Sequence, residues 1–239
     1  MDDILFSAQA WRYLARDGLG KAEAERLLDA RALKAGGAKE AGGRGQALSF
    51  TQDGRGYFLR HYLRGGLWGR LMGDRFISLM PHAHRAFDEF RLLDWMRGQG
   101  LPVPEPVAAR EEGCVLIRQD IVVGGIDAED LSRVIARRCL TRGECLRLGQ
   151  TIGRFFEAGV MHTDLNIRNI LLSKEGEFFL IDFDKCYRTT MGRAERQAVL
   201  SRLRRSFLKE IRVTSGKAHY NDTDFALIES KAMRSAGTV

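Results

Sequence analysis

Long apolar runs are missing from this 239-residue chain, and no stretch approaches the roughly 18 consecutive apolar residues that a bilayer-crossing helix needs. Residues 1–6 carry Asp2 and Asp3 where a secretion signal carries positive charge, so the expectation is a cytoplasmic chain. Cysteine is scarce. Cys114, Cys139, Cys145 and Cys186 are scattered without a C-x-x-C pair, which excludes a disulfide framework and leaves reduced thiols. His82 and His84 form an H-x-H, but neither cysteine nor a second histidine cluster lies near them, so they read as a loop or helix start rather than a metal site. Internal repeats are absent too. What is present is a 44% hydrophobic content, enough for one large domain or two small lobes, and an excess of positive charge. A net charge of +7 draws anionic partners, whether nucleotides, phosphosugars, anionic lipid or nucleic acid, and charge alone does not choose among them. Much of the excess falls in one late stretch holding Arg188, Arg193, Arg196, Arg202, Arg204, Arg205, Lys209 and Arg212.

The patterning predicts a helix over residues 21–33, then a glycine-rich run with Gly42, Gly43 and Gly45. Two β-prone runs, 47–50 and 57–62, flank Asp53-Gly54 and read as a β-hairpin. A helix over 85–97 ends at Gly98 and Gly100, ahead of an extended segment with Pro102, Pro104 and Pro106. Within it Glu89 has Ala86, Leu92, Leu93 and Met96 at helical neighbour spacings, so its carboxylate points to the apolar face and needs a partner. Strand character at 114–117 and 121–123 leads to Gly124-Gly125, taken as the boundary between lobes. Residues 127–139 read as helical. Thr141 and Glu144 then open a further helix as a capping box, which stops at Gly159. A second hairpin spans 170–172 and 178–181, and a basic amphipathic helix covers 192–210.

Between the long helix and the second hairpin lies His162-Thr163-Asp164-Leu165-Asn166-Ile167-Arg168-Asn169, with the order and spacing of the kinase catalytic loop H-x-D-x-x-x-x-N. Ile181-Asp182-Phe183-Asp184 follows, with Asp182 thirteen residues after Asn169, where a kinase has its metal-binding aspartate. Each residue alone is a weak signal; four in register on a helix, loop and hairpin are a strong one. Phosphoryl transfer needs an in-line hydroxyl and neutralised phosphate charge, so carboxylates and an amide must converge. Asp164 is therefore the expected catalytic base, Asn169 and Asp182 the expected Mg²⁺ ligands, and His162 the residue that orients the loop. Asp184 is either a further metal or substrate contact or a supporting acid, and Phe183 belongs to the core. For the nucleotide, Gly43 and Gly45 offer backbone amides, although the run departs from G-x-G-x-x-G. A kinase also pairs a strand cation with a helix acid. Glu89 supplies the acid, and Arg60 stands on the strand in place of lysine.

Four strings, Arg64-Gly65-Gly66-Leu67-Trp68-Gly69, Leu101-Pro102-Val103-Pro104-Glu105-Pro106, the catalytic loop, and Ile181-Asp182-Phe183-Asp184-Lys185-Cys186, make the chain resemble the bacterial kinases of 3-deoxy-D-manno-octulosonic acid (Kdo), within the lipopolysaccharide kinase group. The resemblance spans about residues 40–212. It implies an α+β, protein-kinase-like bilobal fold: a small β-rich N-terminal lobe over residues 1–123 and a reduced, mainly helical lobe over 124–239. It implies transfer of the ATP γ-phosphate, with Mg²⁺, to the 4-hydroxyl of a Kdo sugar on lipid A precursor during lipopolysaccharide inner-core assembly. The chain would work peripherally at the cytoplasmic face of the inner membrane, with an anionic glycolipid and no nucleic acid as partner. It also assigns Asp164 as the catalytic acid/base. The stretch after Asp182 contains no A-P-E string, so the long activation segment of a protein kinase has no room. The basic helix could meet anionic lipid or an acidic sugar, or simply be solvated. Two rival readings stay open. A kinase of an aminoglycoside or choline-like alcohol would want an acidic cleft, and a non-catalytic anion-binding pseudokinase would have no use for Asp164, Asn169 and Asp182.

Overall fold

The computed structural model describes residues 4–8, 11–41, 47–63, 76–77, 83–214 and 217–234. Gly42, Gly43, Gly45, His82 and the string that begins at Arg64 lie outside them. The chain divides into two compact units, Met1–Trp95 with Pro104–Ile126, and Met96–Val103 with Asp127–Val239.

In the first unit, β1 (Ile4–Ala8) and β2 (Trp11–Ala15) precede α1 (Lys21–Leu28) and α2 (Ala30–Ala35). Then come β3 (Lys39–Ala41), β4 (Ala47–Gln52), β5 (Arg55–His61), β6 (Phe76–Ile77), α3 (Arg85–Gly98), β7 (Pro106–Glu112) and β8 (Leu116–Gly124). The strands form one antiparallel sheet in the order β1-β2-β7-β8-β5-β4-β3, with β6 paired to β8. In place of the one helix expected over 21–33 there are two. The Asp29 carboxylate accepts from Arg31 N at 3.0 Å and Ala32 N at 3.1 Å, and this cap starts a new helix. The β4–β5 hairpin closes through Asp53 (φ 51°) and Gly54 (φ 75°), two successive left-handed residues that match the twist of the strands.

Alternation on β5 decides what each face of the sheet does. Tyr57 and Leu59 are buried in one cluster with Leu27 and Leu28 of α1 and with Ala108 and Val122. Arg60, one residue on, therefore projects from the opposite face, where Glu89 of α3 is buried. On that face Gln119 ties α3 to β8, donating to Ala83 O at 2.6 Å and accepting from Ala86 N at 3.0 Å.

In the second unit, β9 (Ala128–Asp130) and α4 (Leu131–Ile135) replace the single helix expected over 127–139. The correction has a local cause. Asp130 accepts from Arg133 N and caps α4, while Ala128 and Glu129 before it pair with Ser173 and Leu172 of the later hairpin. The capping box of Thr141 and Glu144 is present and opens α5 (Arg142–Glu157). Gly159 (φ 71°) turns the chain into β10 (Val160–Met161). After a 3-10 turn at Ile167–Asn169 come β11 (Ile170–Ser173), β12 (Phe178–Leu180) and β13 (Tyr187–Arg188). Strands β12, β11 and β9 form one sheet, and β10 pairs with β13. The basic helix is α6 (Arg193–Val213), and α7 (Asp222–Arg234) follows in a stretch whose sequence carried no expectation.

Helices α5 and α7 approach closely because position 149 has no side chain. A Cβ on Gly149 would lie 2.5 Å from Ile228 O and 2.8 Å from Lys231 Cβ. Gly149→Ala should cost about 1–3 kcal/mol through overpacking, read as a lowered Tm. Gly143→Ala at the start of the same helix, where only the flexible Arg147 side chain lies near, should leave Tm unchanged or raised. The cap also carries a pH signature. The Arg138 guanidinium, with help from Thr141 and against the effect of burial, holds the Glu144 carboxyl down at about 2 instead of 4.5. Its contribution to stability is full above pH 4.5 and is lost as pH falls toward 2. In acid titrations followed by circular dichroism, the stability gap between the native chain and Glu144→Gln should narrow across that window.

Candidate active site

The second unit builds its site around a buried imidazole. Strand β10 delivers the chain to His162, which is 2% exposed. Asp164 N donates to its Nδ1 at 3.3 Å, and its Nε2 lies 3.1 Å from Ile181 O. One neighbour is a donor and the other an acceptor, so both are satisfied only by a neutral ring with its proton on Nε2. Burial pushes the imidazole pKa below its ordinary value and favours the same form. Phe183, 1% exposed, packs on the ring with centroids 4.9 Å apart, and Phe155 backs Phe183 at 6.0 Å.

Asp164 itself is exposed, so its carboxylate is open to a substrate hydroxyl. Its backbone oxygen accepts from Asn166 Nδ2 at 3.0 Å and Asn169 Nδ2 at 2.9 Å. Asn166 also caps the 3-10 turn, accepting from Arg168 N at 2.9 Å, so the loop closes on itself. Asn169 and Asp182 are brought to one end of the β11–β12 hairpin: Ile170 pairs with Leu180, and Ile181 N donates to Asn169 O at 3.0 Å. Asp182 then leaves the strand in a left-handed conformation (φ 63°), uncommon for a residue with a side chain. Thr163 Oγ1 reaches Asp184 O at 3.4 Å, and Thr163 N donates to Cys186 Sγ at 3.4 Å, a second tie between loop and acidic segment. From α6, Ser206 Oγ accepts from Ile167 N at 3.1 Å, and Glu210 pairs with Arg168 at 3.3 Å.

The donor chemistry suits Mg²⁺. With Nδ2 of Asn169 committed to Asp164 O, its Oδ1 is the atom able to act as a ligand, beside the Asp182 carboxylate. Hard oxygen donors, few in number, are what Mg²⁺ takes while it keeps water and phosphate oxygens. Among the described residues no cluster of three or more His, Cys, Asp or Glu side chains could cage a metal.

In the first unit Arg60 and Glu89 meet. Arg60 Nη2 and the Tyr62 hydroxyl both donate to Glu89 Oε2. Arg60 Nη2 also lies 3.1 Å from the Tyr62 hydroxyl. Burial, reinforced by the Glu89 carboxylate and opposed by Arg60, holds the Tyr62 phenol well above its ordinary value. Tyr62 is a partner that the sequence reading missed, although strand alternation from Arg60 puts it on the same face. Asn166 was overlooked inside the motif, and Ser206 carries no local signal at all. His84 hydrogen-bonds Glu111 at 2.9 Å.

An exposed aspartate on a loop between helix and hairpin, followed by an amide and a carboxylate of metal-binding type, defines a phosphotransferase of the protein-kinase-like class. Residues 29–225 match the Lipopolysaccharide kinase (Kdo/WaaP) family. The chain belongs to that family. A protein of Vibrio parahaemolyticus named 3-deoxy-D-manno-octulosonic acid kinase is 38% identical over 190 residues, 79% of either chain. One of the same name from Vibrio vulnificus is 41% identical over 169 residues, 70% of either chain. Among solved structures, a co-crystal of WbdD and a kinase inhibitor superposes with a TM-score of 0.50 at 14% identity. That match covers 82% of this chain and 44% of the other, and it bears on the fold alone.

His162→Gln should cost about 1–3 kcal/mol, because Asp164 N and Ile181 O lose buried partners. The pH dependence has a definite sign. The unfolded chain takes up a proton on His162 below pH 6.5, and the folded chain resists it. Stability from this residue is therefore full above pH 6.5 and declines as pH falls below it. Thermal denaturation between about pH 7.5 and 5.5 should show that decline in the native chain and a flatter profile in His162→Gln.

Proposed function

We propose that this protein is a Kdo kinase, transferring the γ-phosphate of ATP to the 4-hydroxyl of a Kdo sugar on lipid A precursor in lipopolysaccharide inner-core assembly. The observation that carries the reading is the exposed Asp164 carboxylate on a loop fixed by His162, Asn166 and Asn169, in a chain whose relatives are named for this acceptor. As the acceptor oxygen bonds to phosphorus, the bond to the ADP oxygen breaks and the hydroxyl proton passes to Asp164. Asn169 Oδ1 and the Asp182 carboxylate would hold Mg²⁺, whose chemistry there would be to offset the negative charge of the phosphates. Arg60, oriented by Glu89 and Tyr62, offers the nucleotide phosphates a planar fork where lysine would offer a point charge. Tyr62 and Glu89 hold that fork in a defined direction, so part of the ordering cost is met before nucleotide arrives.

Because the acceptor is a glycolipid, the enzyme would act peripherally at the cytoplasmic face of the inner membrane. Among the described residues no helix is long and apolar enough to cross a membrane. Val199, Leu200, Leu203 and Phe207, the apolar side of α6, are buried in the second unit, so what this helix offers an anionic surface is mainly charge, with Val213 exposed at its end.

The test is transfer of radiolabelled γ-phosphate with Mg²⁺ to Kdo-bearing lipid A precursor, beside aminoglycoside and protein controls, with the labelled position located by NMR. Labelling of Kdo at the 4-position is expected, and labelling of a control acceptor instead would replace this reading. Asp164→Asn should lower kcat by about a hundred- to ten-thousand-fold with an unchanged circular dichroism spectrum. Near-native turnover in that variant would remove Asp164 from the mechanism.

A further inference from the structure

Helix α6 carries seven cations, and the structure sorts them. Arg196 donates to Met191 O at 2.7 Å and lies over the Phe156 ring, and Arg204 pairs with Asp222 at 2.9 Å. Arg193, Arg202, Arg205, Lys209 and Arg212 have no acidic partner among the described residues. One of these five sits on the helix row that faces the catalytic loop. Arg202, Ser206 and Glu210 stand at i, i+4 and i+8, which puts them along one side of a helix. Ser206 accepts from Ile167 N, and Glu210 holds Arg168. Arg202 is the next position of that row and is half-buried. Its charge bears on His162, acting in the same direction as burial.

An unpaired, half-buried guanidinium beside a catalytic loop is costly unless it serves a ligand. Its planar donor fork matches a carboxylate with two parallel hydrogen bonds. We propose that Arg202 is an acceptor-binding residue, gripping the carboxylate of the acidic sugar so that the hydroxyl to be phosphorylated is presented to Asp164. This rests on the acceptor proposed above, a sugar acid. The membrane is the weaker occupant for Arg202, because it is half-buried on the row that holds the loop through Ser206 and Glu210, whereas Arg205, Lys209 and Arg212 are exposed.

The experiment compares the native enzyme, Arg202→Gln and Arg202→Lys on two acceptors, the Kdo-bearing precursor and the same molecule with its carboxylate converted to the neutral amide. In the native enzyme the acid should be favoured by on the order of ten- to a hundred-fold in kcat/KM. Arg202→Gln should raise the acceptor KM by a similar factor, leave the KM for ATP unchanged and abolish the preference for acid over amide. Arg202→Lys, which keeps charge but not the fork, should fall between. An acid preference that survives in Arg202→Gln, or a rise in the KM for ATP instead, would overturn the assignment while leaving the Kdo kinase reading intact. Loss of binding to phosphatidylglycerol vesicles with the acid preference retained would also overturn it and make Arg202 part of a membrane face. If the native enzyme labels no Kdo acceptor at all, the reading of function fails first and this assignment with it.

Discussion

The buried imidazole of His162 joins two pieces of chain that are far apart in sequence, taking a hydrogen bond from Asp164 N and giving one to Ile181 O. Both bonds need the neutral ring, and burial against Phe183 is what keeps it neutral. The arrangement explains why an ionisable residue can serve as a fixed structural element in an enzyme whose chemistry is electrostatic. A protonated ring would present a donor to the Asp164 amide, and the loop would lose its anchor at Asp164. The hairpin adds a second constraint through Ile181 N and Asn169 O, and the Asn169 side-chain amide ties back to Asp164 O, so the backbone positions of Asp164, Asn169 and Asp182 are set relative to one another.

The first unit solves a different problem, a carboxylate with almost no exposure. Glu89 is 4% exposed, and a buried charge is tolerated only where donors surround it. Arg60 and Tyr62 supply them from alternate positions of one strand edge, and the Arg60 guanidinium also lies over the Tyr62 ring at 5.0 Å. A lysine at this position could meet the carboxylate but could not stack on tyrosine and keep further donors in the same plane. Arginine at position 60 is thus matched by Tyr62, which supports it.

Much of this was legible in the sequence because the informative signals are local. The spacing of His162, Asp164, Asn169 and Asp182 reports the loop and hairpin directly, the Thr141 and Glu144 pair reports a helix start, and Asp53-Gly54 reports a turn. Glu89 could be paired with Arg60 because a lone acid on an apolar helix face demands a cation. What escaped depends on contacts between distant segments. The strand at Ala128–Asp130 exists because β11 lies beside it, and nothing in its own residues outweighs a helical pattern. Helix α7 is held by Phe225, Ile228 and Ala232 packed in its unit, with Gly149 making room, a fit that no single segment encodes. Ser206 joins the site only because α6 crosses the loop there.

That crossing also changes how the positive charge should be understood. A net charge of +7 spread over the surface would favour any anion, and composition cannot separate a nucleotide from a lipid. Once α6 is placed, its cations divide by partner and by burial. Its apolar residues are used in packing, two arginines are tied to the protein itself, and the row facing the loop is fixed in place by Ser206 and Glu210. A half-buried charge on a row fixed to the loop can select for the shape and acidity of a bound anion, whereas exposed cations act through long-range attraction that salt weakens. The same helix can therefore combine specificity at its half-buried cation with general affinity for anions at its exposed ones, and the two should separate with ionic strength.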